Sequence, residues 1–231
     1  MKILKNKTII RLFIISIALC EVIREIIYFT TGYSLFGLFI TASVLTSLFA
    51  LYIRTEGLDL DQSIIKIFKR SPKEISDSLN PKRFFNCMPI AMVLCTIADV
   101  FININFIVGV LIFLIAHVFF ILAFSGIIHL KPDYLFSQEN QTKTLGISLG
   151  WIIITLLSFI FLIYNPDDDR FLMVIPYVII ITIMVIISYL GLSYNDRPIN
   201  HRIILILGST FFYISDTILG YDIFKESIEI A

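Results

Sequence analysis

The chain is a succession of apolar runs, each about 18 residues or longer, the length a helix needs to cross a hydrocarbon core about 30 Å thick. Seven such runs are readable, at approximately 8–29, 35–53, 85–104, 107–128, 146–164, 171–193 and 203–220. Inside a bilayer no water is at hand for backbone N–H and C=O groups. They must bond within their own segment, so each run is expected as a helix. A soluble domain of 231 residues would interleave polar residues to give itself a wet surface. This chain is 58% hydrophobic and does not. The expected fold is all-α, a polytopic transmembrane helix bundle of about seven spans. It forms one integral membrane domain over 1–231, with one long connection at 54–84.

Charge orients the bundle. Of the 18 lysines and arginines, fifteen fall on alternate connections: the N-terminal stretch, 54–84, 129–145 and 194–202. Arg24 lies within the first run, and Arg170 and Lys225 are left for the opposite side. The positive-inside rule then places the N-terminus in the cytoplasm. The basic N-terminal stretch imitates a signal peptide, but no A-x-A site follows, so this segment is expected to stay as the first membrane helix. The Lys- and Ile-rich composition suggests a bacterial inner membrane. Formal net charge is zero, which argues against a nucleic-acid partner. The three cysteines, Cys20, Cys87 and Cys95, form no C-x-x-C and read as buried thiols.

Three local patterns carry packing expectations. S-I-I-K-I-F-K-R-S-P in the long connection suits a short basic helix at the cytoplasmic headgroups. G-I-S-L-G at 146–150 is a G-x-x-x-G, which lets helix backbones approach closely. Pro176 should kink the sixth span.

Chemistry is sought among groups that are costly to place in lipid, at about 3 kcal/mol each on insertion scales. They are Glu21, Arg24 and Glu25 in the first span, Asp99 in the third, His117 in the fourth and Asp216 in the seventh. With the N-terminus inside, Glu21, Arg24, Asp99 and Asp216 all fall in the outer half of the bundle. His117 lies near the middle, so an outward cavity with His117 near its floor would gather them. Asp99 and Asn103 share a helix face, as do Gly109, Phe113 and His117, and Ser209, Tyr213 and Asp216 line one side. A structural reading stands beside each: interhelical hydrogen bonding for the aspartates, a carbonyl partner for His117, a salt bridge to Arg24 for Glu21 or Glu25. His117 and His129 are about 18 Å apart on one helix, so a three-histidine metal site is poorly supported and no metal is expected.

The segment A-D-V-F-I-N-I-N-F-I-V-G-V-L-I-F-L-I-A-H-V-F-F-I-L-A-F resembles the central signature of the YhhN family, the lysoplasmalogenase-like membrane proteins. The matching positions are Ala98, Asp99, Gly109, Phe113, His117, Phe120 and Phe124, with Ala98 where the family usually has Gly and Phe120 where it often has Tyr. A second block resembles G-S-T-F-F-Y-I-S-D-T-I-L-G at 208–220, through Gly208, Phe212, Ser215 and Asp216. The resemblance covers roughly the last two-thirds of the chain and implies eight helices, one more than is readable here.

It also implies an activity: hydrolysis of the vinyl-ether bond of a lysophospholipid in the membrane, releasing a fatty aldehyde without a cofactor. Protonating the vinyl carbon gives an oxocarbenium ion, to which water adds. Asp99 and Asp216 would form the acid–base pair, with His117 orienting water or a carboxylate. Asn103 and Tyr213 would hydrogen-bond the substrate, with Glu21 and Arg24 as further binding groups. A proton-coupled or small-molecule transporter would use buried carboxylates equally well, and a catalytically silent lipid-binding relative is a third reading. An intramembrane aspartyl protease would show G-x-G-D where this chain has T-I-A-D, and a retinal protein would need a lysine in the last helix. The oligomeric state is not legible.

Overall fold

The computed structural model describes residues 2–31, 40–52, 54, 80–128, 130, 132–138, 140–165, 168, 170–191 and 199–225. Among them the regular structure is helical. The elements in chain order are α1 (Lys2–Thr31), α2 (Ile40–Tyr52), α3 (Pro81–Ile102), α4 (Phe106–Ser125), a single turn α5 (Pro132–Leu135), α6 (Gln141–Ser158) ending in a π turn at Phe159–Ile163, α7 (Phe171–Leu190) and α8 (Ile199–Lys225). α3, α4, α6, α7 and α8 are each long and apolar enough to cross a membrane. The chain is a polytopic helical bundle and an integral membrane protein. α1 and α2 stand where the first two spans were expected. The basic segment at 64–70 lies outside the described residues, as does most of the 54–84 connection.

Helix ends follow local chemistry. Asn80 precedes α3, whose first residue is Pro81, a position where the missing N–H costs nothing. Asn105 caps α4 by accepting from Val108 N at 3.2 Å. Only Asn103, Ile104 and Asn105 separate α3 from α4, so the two form a tight antiparallel hairpin. Gly109 makes the hairpin possible. A Cβ placed there would lie 2.6 Å from Ile102 Cα and 2.7 Å from its N.

The expected role of the G-x-x-x-G pair is overturned. A Cβ on Gly146 or Gly150 meets nothing within 4 Å, so neither glycine mediates a close helix approach among the described residues. The reason is rotational: these two residues sit on the outer face of α6, while Thr144, Trp151 and Thr155 supply its buried side.

The core is assembled around α4, whose buried row Phe113, Ala116, His117, Phe120, Ala123 and Phe124 faces α3 on one side and α7 on the other. Small residues at contact points (Ala91 and Ala98 on α3, Ala116 and Ala123 on α4) are fully buried and let backbones come together. Hydroxyl pairs tie the helices across the bundle: Thr182 to Thr155 at 3.1 Å, Tyr189 to Thr210 at 3.1 Å, and Ser188 to Ser209. Such bonds between helices in lipid are worth about 0.6 kcal/mol on average. They fix orientation more than they hold the bundle together. A second apolar cluster, Ile163, Val174 and Phe224, closes the end of the bundle where α3 finishes and α4 and α7 begin.

Candidate active site

α4, α7 and α8 bring three polar side chains to one point. Asp216 on α8 accepts a hydrogen bond at Oδ2 from the Tyr177 hydroxyl of α7. His117 Nε2 of α4 faces the same oxygen at 3.8 Å. His117 is wholly buried, and the Asp216 side chain is 11% exposed. Three aromatic rings enclose the imidazole edge-on: Tyr177 at 5.1 Å, Phe212 at 5.1 Å and Phe120 at 5.9 Å.

The imidazole tautomer follows from its other nitrogen. Nδ1 lies 2.7 Å from the backbone carbonyl oxygen of Phe113, one turn back on α4. A carbonyl oxygen can only accept, so Nδ1 carries a proton and donates it. In a neutral ring the lone pair is then on Nε2, the atom aimed at Asp216. Nε2 has no hydrogen-bond partner among the described residues. One proton can therefore sit on Asp216 or on Nε2, with a short gap between the two.

Asp99 occupies the next layer. Ser43 Oγ of α2 donates to Asp99 Oδ2 at 2.8 Å. Ser43 also meets Thr96 Oγ1 at 3.0 Å, Thr96 meets Ser47 Oγ at 2.7 Å, and Ser47 donates to the Met92 carbonyl at 2.9 Å. This hydroxyl seam bolts α2 to α3 and gives the carboxylate a donor. Asp99 is 8% exposed, and Asp216, Tyr177 and the buried thiol of Cys95 all lie within electrostatic range of it.

A narrow cleft with a cavity volume of about 50 Å³ opens beside Asp216. Tyr177, Tyr213, Asp216 and Thr217 supply its polar edges, and the rest of its wall is chiefly apolar. The π turn after Ser158 presents Phe159 and Ile163 to it. Such wide turns recur at functional sites. Tyr213 is 7% exposed and its ring packs edge-on to Trp151 at 5.4 Å.

The structure thus places Asp216 and Tyr213 on the wall of one cleft, with His117 buried behind Asp216 and Asp99 within electrostatic range of it. Asn103 is at the end of α3, exposed, and its amide donates to the Asp99 backbone carbonyl at 3.1 Å. The side chains of Glu21, Arg24 and Glu25 lie outside the described residues. Tyr177 was missed in the sequence. It follows Pro176 in an apolar run, and a lone phenol there looks like any interfacial aromatic. Ser43, Ser47 and Thr96 were missed too, although the spacing of four between Ser43 and Ser47 on α2 was a legible polar stripe.

The model of the YhhN family matches residues 76–231, most of the chain. The chain belongs to the YhhN family. The match runs from just before α3 to the last residue, so Asp99, His117, Tyr177, Tyr213 and Asp216 lie in the YhhN region while α1 and α2 precede it. Neither a curated protein nor a solved structure matches the chain.

Proposed function

We propose that the protein is a membrane-embedded ether hydrolase of the lysoplasmalogenase type, with Asp216 as the proton donor. The observation that carries this reading is the position of the Asp216 carboxyl. It lines an apolar cleft, while its oxygen is held by Tyr177 and faced by an imidazole whose tautomer is set.

Cleavage of a vinyl ether begins with a proton on carbon. Asp216 delivers it, and the ether oxygen and its neighbouring carbon share the resulting positive charge. The Asp216 carboxylate left behind stabilises that cation at short range, reinforced by the charge of Asp99. Water adds to the cationic carbon and gives up its proton to Asp216 or to His117 Nε2. The hemiacetal then collapses, its hydroxyl proton moving to the departing alcohol oxygen, to give aldehyde and alcohol. Tyr177 holds the carboxyl in place through the cycle. The chain needs no cofactor for this sequence.

The apolar tail has a path. A groove between α6 and α7, lined by Ile152, Leu156, Ile179 and Ile183, shares Thr155, Phe159 and Val178 with the cleft. A single-chain lipid reaches Asp216 from the bilayer along it, without passing through water.

The test is aldehyde release from a lysoplasmalogen by purified protein in detergent, beside Asp216→Asn and Asp99→Asn. Loss of a general acid lowers the rate by about 10²–10⁴-fold. Activity surviving in Asp216→Asn removes that residue from the mechanism. Solute flux into proteoliposomes driven by a pH gradient, with no aldehyde formed, supports the transporter reading instead.

A further inference from the structure

At the end of the cleft remote from His117 a cation is held over two aromatic rings. The Arg170 guanidinium lies 5.7 Å from the centroid of Phe106 and 5.9 Å from that of Phe224. The two rings pack edge to face at 5.7 Å, and both line the Asp216 cleft. Asn165 fixes this corner from beneath, its amide donating to the Phe224 carbonyl at 2.9 Å. Asp168 grips one edge of the guanidinium, accepting from Nε at 2.9 Å and from Nη2. The grip orients the group without using all its donors. A guanidinium has five N–H bonds in a fixed fork, and among the described residues none accepts from Nη1. The Arg170 side chain is 47% exposed, so the group can be reached from outside the bundle. Its placement is also against the trend of the chain, since the charge distribution puts nearly every other lysine and arginine on the opposite side.

We infer that Arg170 is the anchor for the phosphate of the lipid headgroup, so that the cleft selects single-chain phospholipids over neutral single-chain ethers. This rests on the lipid-hydrolase reading above. Spacing supports it. Phe224 lies eight residues beyond Asp216 on α8, and Arg170 lies seven before Tyr177. At 1.5 Å per residue this puts the rim about 10–12 Å from the acid. Between the protonated carbon of a 1-alkenyl glycerophospholipid and its phosphorus there are seven bonds of about 1.5 Å, spanning about 9 Å when extended. With one hydrogen bond at the rim and one proton transfer at Asp216, the molecule fits between the two groups. Planar bidentate donors match phosphate oxygens better than an ammonium does.

The experiment compares two substrates, a lysoplasmalogen and the 1-alkenyl glycerol that lacks the phosphate, in wild type, Arg170→Gln and Arg170→Lys. Arg170→Gln is expected to raise KM for the phospholipid about tenfold or more, the weight of one charge-assisted bond. Its kcat and its KM for the neutral ether are expected to stay within about twofold, and Arg170→Lys to fall between. Equal loss for both substrates in Arg170→Lys overturns the inference, because a merely structural role does not distinguish them. So does an unchanged phospholipid KM in Arg170→Gln. Calorimetric binding of the uncleavable 1-alkyl lysophospholipid and of 1-alkyl glycerol separates this inference from the catalytic one. A phospholipid-specific loss of binding in Arg170→Gln upholds the anchor even where no aldehyde is formed. Competition by inorganic phosphate at equal strength to the lysophospholipid would overturn the headgroup assignment in favour of an ion site.

Discussion

Glycine-to-alanine substitution should have opposite signs at two places in this chain. At Gly109 the new Cβ would sit 2.6 Å from Ile102 Cα, 2.7 Å from Ile102 N and 2.9 Å from Ile102 Cβ. Carbon atoms pack best at about 3.5–4.0 Å. The two helices must therefore part by about 1 Å, and two of the three obstructing atoms are backbone, with no rotamer to turn aside. Overpacking of this kind costs about 1–3 kcal/mol, and the clash with backbone puts it at the upper end. Alanine's better helix propensity returns about 1 kcal/mol. Gly109→Ala is thus expected to destabilise by about 2 kcal/mol. At Gly146 and Gly150 nothing lies within 4 Å of the new Cβ, so the propensity gain stands unopposed. Each alanine there is expected to stabilise by up to about 1 kcal/mol. The assay is reversible unfolding in mixed detergent micelles, followed by the single tryptophan, Trp151, which packs against Tyr189 and Tyr213. A Gly109→Ala protein as stable as wild type, or a Gly146→Ala protein clearly less stable, would refute the packing assigned to α3, α4 and α6.

Three further predictions concern polar contacts. Tyr177→Phe removes the donor that steadies Asp216, and is expected to lower kcat about tenfold with the fold retained, read by aldehyde release beside circular dichroism. Ser43→Ala leaves the buried Asp99 carboxylate without its α2 donor, and should destabilise by about 1–3 kcal/mol in the same unfolding assay. Asp168, held below the ordinary carboxylate range by its hydrogen bonds to Arg170, contributes stability at every pH above its unfolded value near 4. That contribution disappears as pH falls through the lower folded value. The stability difference between wild type and Asp168→Asn should therefore be below about 1 kcal/mol and constant from neutral pH down to about 4, vanishing only in stronger acid.

Much of this was legible because lipid is a strict solvent. The apolar runs located α3, α4, α6, α7 and α8 to within a few residues, since nothing else can occupy that length of hydrocarbon. Asp99, His117 and Asp216 stood out because each is costly there. What stayed hidden depends on rotation about helix axes, which one sequence does not encode. Gly146 and Gly150 carry a packing pattern, but their face of α6 is turned away from the bundle. Gly109 stands in a four-spaced row with Phe113 and His117 and belongs to no G-x-x-x-G, yet its backbone is where α3 and α4 approach closely. Tyr177 became visible only when α7 was placed against α8. Asn103 shares a face with Asp99, yet its amide turns back to its own helix. The π turn at Phe159–Ile163 has no signature in a run of apolar residues.

The hydroxyl seam joining α2 to α3 crosses the edge of the region that family resemblance picks out. Ser43 and Ser47 stand upstream of that edge, and the carboxylate that Ser43 serves stands downstream. Homology and autonomy therefore part company here. A fragment cut at residue 76 would retain every signature position, yet leave an anion bare against hydrocarbon. The second helix is a splint rather than an appendage, and anyone trimming this protein for expression at that edge would be sawing through a joint.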